Sequence, residues 1–319
     1  MPRGGSQFFG VDRDPMARMS EASSAYLAIG IAMVSVSFAS IFIKWSESPP
    51  FIIAAYRLGF TCLLLLPLMI WTKGFSEVRR FTRKEMMLVV LSGVALTFHF
   101  ELWIVSLSMT LVATSVILVT SHPLFVAAVS HFLLKEEVKR VAIVGIVIAF
   151  GGVVVLYAGD YSSGGESLLG DLLAFVGGLF AGIYFLSGRV ARQTIGVVPY
   201  AFSVYALSSV LLFLSAAIAG DALAVSDGRE IGLFLLMALI PTILGHTMFN
   251  YALKKVPAHI ISTSVLGEPV GASVLAYLLL PNEVPTVWVI AGGALVIVGL
   301  YLVLALGYGP AVRQDEVLD

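Results

Sequence analysis

Two polar residues followed by proline, His122-Pro123 and Glu268-Pro269, stand 146 residues apart inside long apolar runs. A proline within a helix removes a backbone donor and clashes with the preceding turn, so each pair is expected to break a helix near its middle. Pro269 leaves the carbonyl of Val265 without its intrahelical partner, and in a membrane such groups are tolerated only where protein or a wet cavity satisfies them. Glu268 lies about ten residues from either end of its run, near the bilayer centre, where an acidic side chain costs about 2.5–3.5 kcal/mol even on lenient insertion scales. It must face a partner or water, which makes it a candidate proton carrier or binder of an amine-bearing substrate. His122 occupies the equivalent depth and belongs to the one side-chain type that ordinarily titrates near neutral pH. The structural alternatives are a packing or capping role for Glu268 and a hydrogen-bonded core imidazole for His122.

Further polar residues interrupt the apolar runs. His99 and Glu101 point about 200° apart on a helix, so only one of them faces a cavity squarely. His246 and Asn250 are four apart and share a face, and Pro241 and Gly245 beside them imply a kinked, cavity-facing helix; for Asn250 a helix-packing amide is the alternative. Arg57, next to Tyr56, lies roughly 10 Å deep at 1.5 Å per residue, within reach of a snorkelling side chain. It is a candidate for a gate ion pair with Glu101 or Glu47, or for capture of a substrate carboxylate. Arg189 reads as a helix anchor, near Tyr184 and Ser187. Glu136-Glu137 ahead of Arg140 reads as a solvated helix end rather than an intramembrane protease pair. The five histidines include no helical pair four apart, so no metal is expected. The absence of a phosphate-binding Gly-Lys-Ser/Thr loop leaves no place for a nucleotide, and no cofactor is called for.

Composition names the solvent in which these residues sit. The chain is 59% apolar with a mean hydropathy of +0.97 and only 12% charged residues, against about 25% in a soluble domain, so most of it must lie in a lipid bilayer. With 19 Lys+Arg against 20 Asp+Glu there is no basic excess for a nucleic-acid partner. A crossing helix needs about 20 apolar residues, and breaks at charged or Pro/Gly-rich points give ten spans, at 26 to 43, 51 to 71, 86 to 106, 111 to 133, 139 to 158, 168 to 190, 199 to 219, 231 to 252, 258 to 280 and 284 to 306. Residues 1–24 read as a disordered tail with Met16 or Met19 as a possible start, 25–158 as a first five-helix repeat, 159–308 as a second and 309–319 as a tail. With the N-terminus inside, sixteen Lys and Arg fall on inner segments and only Lys44 and Arg229 on outer ones; this positive-inside pattern predicts that both termini are cytoplasmic. The lone Cys62 excludes an intrachain disulfide.

The halves align at an offset of 146: His122-Pro123 on Glu268-Pro269, Leu107 on Leu253 and Glu137 on Glu283, with Leu156-Tyr157 near Leu300-Tyr301. The fold expected is therefore an all-α polytopic membrane protein with ten transmembrane helices as two inverted five-helix repeats, since an odd number of spans makes the second copy enter from the opposite side. Chance similarity between two apolar sequences is the alternative. The run Pro50-Phe-Ile-Ile-Ala-Ala-Tyr56-Arg57-Leu58 resembles a pattern of the drug/metabolite transporter superfamily, its EamA family in particular. So does Leu266-Gly-Glu268-Pro269-Val270 followed by Asn282-Glu283 and a glycine-bearing last helix, with His122-Pro123, Lys135-Glu136-Glu137, Gly145, Gly151 and Gly152 as the counterpart in the first half. The resemblance spans residues 26 to 306 and implies a carrier of metabolites or drugs, often an exporter of amino acids or related compounds. His122 departs from it, since many members have an apolar or small residue there.

These readings converge on a secondary transporter of a bacterial or archaeal inner or plasma membrane. A central cavity lined by spans 1 to 4 and 6 to 9 would hold a small-molecule substrate. Spans 5 and 10, with Gly145, Gly151, Gly152, Gly292, Gly293 and Gly299, would be closely packed scaffold. Glu268 and His122 are the candidates for proton exchange. An uncoupled facilitator uses the same cavity without them, and an intramembrane enzyme would need an acid/base or metal constellation that the sequence does not display.

Overall fold

The computed structural model describes residues 15–107, 109, 112–157, 168–279 and 285–307, with no strand among them. In the first half, α1 (Pro15–Val36) and α2 (Ala39–Trp45) form one span and α3 (Pro50–Trp71) the next. After α4 (Gly74–Val78) come α5 (Arg83–Leu107), the pair α6 (Val112–Val119) and α7 (His122–Phe132), and α8 (Arg140–Tyr157). The second half holds α9 (Leu168–Ala191), α10 (Val197–Ala219) and α11 (Gly228–Met237), which runs through a wide helical stretch, Ala238–Thr247, into α12 (Met248–Ala252). It ends with α13 (Ala258–Ser264), α14 (Glu268–Leu279) and α15 (Val287–Tyr301). Eight of the resulting spans are long and apolar enough to cross a bilayer, and the two shorter apolar helices, Ile117–Phe132 and Arg140–Leu156, bring the set to ten.

Local chemistry fixes many of the ends. Thr82 and Glu85 form a reciprocal cap at the start of α5, with Glu85 Oε2 accepting from Thr82 N at 2.8 Å and Thr82 Oγ1 accepting from Glu85 N at 3.2 Å. Asp227 and Thr286 cap α11 and α15, and Gly220 closes α10 with a left-handed φ of 84°. Two expectations need correction. Helix begins at Pro15, so residues 15–24 are not a disordered tail, because the helix-favouring Ala, Met and Glu of this stretch continue the first span's helix without an interior breaker; residues 1–14 and 308–319 lie outside the described residues. The first span is also broken, between Val36 and Ala39.

The packing partners exchange between halves as an inverted repeat requires. The third span packs along the sixth (α5 on α9), and the first packs on the eighth (α1 on the wide stretch and α12). The second and seventh pair directly (α3 on α10), as do the fourth and ninth (α7 on α13) and the fifth and tenth (α8 on α15). In the last pair, a Cβ at Gly152 would lie 2.7 Å from Gly292 O, and one at Gly145 would lie 2.8 Å from Gly299 O. The two backbones touch where side chains are absent, which is how membrane helices without a hydrophobic driving force associate. Leu27, Val34, Val210, Ile218 and Ile290 are all exposed on the outer surface, a ground state only in lipid.

Candidate functional site

The two proline breaks meet at one level of the bundle. Each polar residue opens the second half of its span: His122 starts α7 after a turn at Thr120-Ser121, and Glu268 starts α14 after the tight turn Val265–Gly267. The carbonyl of Val265 is satisfied within that turn by the N–H of Glu268, so the tightened backbone does the work that a bound water would otherwise do. Both half-helices thus present their N-termini, the positive ends of their dipoles, toward the middle of the bundle. Ser37, in the break of the first span, reaches Glu268 O at 3.5 Å and joins that break to the ninth span's.

Between these breaks lies a cavity of about 130 Å³, lined by Val36 and Ala39, Arg57, His99, Phe100 and Trp103, Val119, Thr120 and His122, Ala181 and Phe185, His246 and Phe249, and Val265, Glu268, Pro269 and Ala272. Its polar groups are held from behind. Arg57, 5% exposed, donates from Nε to Thr242 Oγ1 at 2.7 Å and from Nη2 to Pro241 O at 3.4 Å, and its guanidinium lies 5.3 Å from the Phe100 ring centroid. Thr242 in turn donates to Met237 O, five residues back, at 2.8 Å; the wide turns around Pro241 supply the acceptors that Arg57 uses. His99 donates from Nδ1 to Gly177 O at 3.0 Å and lies parallel to Trp103, while His122 donates from Nδ1 to Val119 O at 3.1 Å and stacks on Phe185. The Glu268 carboxylate has no hydrogen bond or ion pair to any described residue, and none joins it directly to Arg57. A guanidinium and a carboxyl group therefore face a mostly aromatic and aliphatic space from opposite halves of the chain.

The same family profile matches the chain twice, over residues 23–158 and 168–305, and its description is EamA-like transporter family. The chain belongs to that family. The two matches divide where the repeats divide, so the halves of this EamA-like transporter are homologous. An "Uncharacterized transporter" of Archaeoglobus fulgidus is 26% identical over 295 residues, covering 89% of this chain and 98% of the relative. The "Uncharacterized transporter YetK" of Bacillus subtilis is 26% identical over 290 residues, covering 87% and 86%. A solved crystal structure superimposes with a TM-score of 0.76 at 18% identity over 89% of this chain and 98% of that one, which shows the fold alone.

Of the residues singled out in the sequence, the structure brings Arg57, His99, His122, His246, Glu268 and Pro269 to one cavity wall. Pro123 is buried beside His122 but off the wall. Glu101 turns away from His99 and accepts a hydrogen bond from Ser215 on α10. Tyr56 packs on Phe234 and Phe213, donates to Leu223 O at 2.9 Å and does not line the cavity. Arg57 pairs with neither gate partner expected of it, because Glu101 is taken by Ser215 and Glu47 lies 3.6 Å from Arg229. The seventh span supplies no lining residue, since α10 packs behind α3 and α5. The sequence reading missed Thr242, Trp103, Phe185 and the Gly177-Gly178 pair. A Cβ at Gly178 would lie 2.6 Å from Val119 O and one at Gly177 3.3 Å from Trp103 N, so this pair lets α9 approach both helices whose histidines it orients; a Gly-Gly step inside an apolar run was its available signal.

Below the cavity, toward the end bearing the Lys/Arg-rich loops, the bundle is sealed. His246 and Asn250 do share a face, both against Tyr184. Asn250 Nδ2 donates to Tyr184 OH at 2.7 Å and Tyr205 OH at 3.2 Å, and Tyr205 OH meets Thr247 Oγ1 at 3.1 Å. One layer further, Arg189 donates to Glu136 Oε1 at 2.7 Å and to Leu253 O at 2.6 Å. Glu136 is thus not the solvated residue expected; only Glu137 is exposed. Arg192 donates to Asn250 O at 2.9 Å and to Ile195 O, and burial lowers its guanidinium to about 10, which leaves it charged at neutral pH.

Proposed function

We propose that this EamA-like transporter is a secondary carrier that moves small zwitterionic metabolites, amino acids or related compounds, out of a bacterial or archaeal cell by alternating access. In this reading both termini face the cytoplasm, in line with the Lys/Arg distribution, and substrate leaves Glu268 in exchange for a proton, with His122 as the second candidate carrier. The observation that carries the reading is the cavity at the level of the two broken helices, where the unpartnered Glu268 carboxylate and the anchored Arg57 guanidinium face one space. An ammonium group suits the first and a carboxylate suits the second together with the half-helix N-termini. A cationic drug meets Glu268 equally well, so size and charge of the cargo are the variables to test. The proline breaks supply the flexible points about which the repeats rock, and the sealed layers at the basic end are what such a motion opens.

One observation favours an uncoupled facilitator as the second reading: Arg57 shares the cavity with Glu268, so a counter-charge is present without a proton. Counterflow in proteoliposomes separates the two. Under an imposed pH gradient, accumulation of one zwitterion class that tracks the gradient and is lost in Glu268→Gln supports proton exchange. Selective flux that ignores both changes removes the coupling and gives Glu268 a structural role.

A further inference from the structure

The rings of His99 and His122 are held in the same way from behind. Each Nδ1 faces a backbone carbonyl, Gly177 O at 3.0 Å and Val119 O at 3.1 Å. A carbonyl oxygen only accepts, so the proton sits on Nδ1, and in the neutral ring Nε2 is left as an acceptor. Neither Nε2 has a protein partner; that of His122, a residue only 3% exposed, is buried outright. The ring of His246, with a buried and unpartnered Nδ1, shares the wall, but its tautomer is fixed by no contact; His99 Nε2, His122 Nε2 and the Glu268 carboxylate are the groups there placed to accept a hydrogen bond that no described protein donor supplies. An unpaired buried acceptor is destabilising until a donor arrives.

Resting on the proposed substrate site, we propose that this wall selects cargo by its N–H donors: His122 and His99 Nε2 and Glu268 together read a primary ammonium, which has three N–H groups, and discriminate against substituted amines that have fewer. Charge alone does not achieve this, because a quaternary ammonium satisfies Glu268 electrostatically while giving both imidazoles nothing. The cavity volume of about 130 Å³ sets the scale of the accompanying body, close to the ~150 Å³ of an engineered cavity that accepts benzene. The discrimination follows from an asymmetry of hydrogen bonding: a site built to bond a donor rejects the analogue lacking it far more strongly than an apolar pocket rejects an extra methyl.

The test is equilibrium binding of valine and its N-methyl, N,N-dimethyl and N,N,N-trimethyl derivatives to the purified protein in detergent. Wild type is expected to lose roughly tenfold in affinity per N–H removed. In His122→Leu the series should flatten, and in His122→Gln, which restores an acceptor, it should steepen again. Methyl bulk acts on all three proteins alike, so the difference between them isolates the hydrogen bond; His99→Leu provides the same comparison if His122→Leu does not fold. A flat series in wild type, or one equally steep in His122→Leu, overturns the donor-reading role while leaving the transport site intact. If no member of the series binds wild type, and carboxylate-free amines also fail, the reading of the cavity as an amine site falls with it.

Discussion

Arg189 is the most informative residue to remove from the sealed end. Its two hydrogen bonds, at 2.7 Å to Glu136 and 2.6 Å to Leu253 O, tie the sixth span to the segment after the fourth and to the end of the eighth. Hydrogen bonds to charged groups contribute about 1.5–3 kcal/mol each when buried. Side-chain exposures of 19% and 14% for Arg189 and Glu136 call for a discount for solvent screening, leaving about 2 kcal/mol for the latch as a whole. At 1.4 kcal/mol per factor of ten, the state open at the basic end should gain about 30-fold in population when the latch is cut. Ser262 on α13 is fully buried with an unpartnered hydroxyl, near His259, whose ring nitrogens are also unpartnered; both are groups that an opening motion would wet. A Ser262→Cys probe in a Cys62→Ser background can be labelled with a membrane-impermeant maleimide from the basic side. When opening is fast relative to labelling, the rate follows the open population, so Arg189→Ala, which removes both bonds, should raise it by about that factor and Glu136→Gln, which keeps the bond to Leu253 O, by less, while a probe at the exposed Glu137 should not change. Equal rates with and without the latch, or parallel changes at Glu137, would refute the assignment of this layer as a gate.

Adjacent glycines on α8 should respond with opposite signs. Gly152→Ala places a methyl 2.7 Å from two backbone atoms of α15 and should destabilise the protein in detergent by about 1–3 kcal/mol. Gly151→Ala meets nothing within 4 Å and should be neutral or stabilising by up to about 1 kcal/mol through helix propensity; thermal unfolding of the two variants side by side checks this. Asn250→Leu leaves the hydroxyls of Tyr184 and Tyr205 without their donor and should cost about 1–3 kcal/mol, visible in the same assay, whereas Asn250→Asp, which keeps the shape but buries a carboxylate at a fully buried position, should not recover it at neutral pH.

Much of this architecture was legible because the bilayer allows few solutions. Apolar run length set the ten spans, and prolines after His122 and Glu268 set both interior breaks, since proline acts on its own helix and needs no knowledge of neighbours. Glycine spacing on the fifth and tenth spans likewise marked them as closely packed, though not that they pack on each other. What escaped was decided across helices. Whether Arg57 meets Glu101, Glu47 or Thr242 depends on the register of wide turns around Pro241, and hydropathy does not encode that register. The break at Ser37 has no proline to mark it. Glu136 and Glu137 look alike in a basic loop, yet only one lies beneath Arg189. The cavity's histidines were visible as residues, but the His99 ring is oriented by the Gly177 carbonyl of α9, which comes close because Gly177 has no side chain, and the His122 ring by the carbonyl of Val119, three residues before it in its own broken span.

The central claim is that cargo passes through the cavity between the broken helices, and blocking that space tests it without altering any charge. Ala181, on α9, lines the cavity and is 4% exposed. Ala181→Phe would place a phenyl ring in a space of about 130 Å³, comparable to the ~150 Å³ of an engineered cavity that one benzene occupies. Counterflow of a mixed panel of labelled amino acids and amines into proteoliposomes, with wild type and Ala181→Phe reconstituted at equal folded amounts, should show accumulation by the first and near-complete loss in the second. Undiminished flux through Ala181→Phe would place the route elsewhere in the molecule.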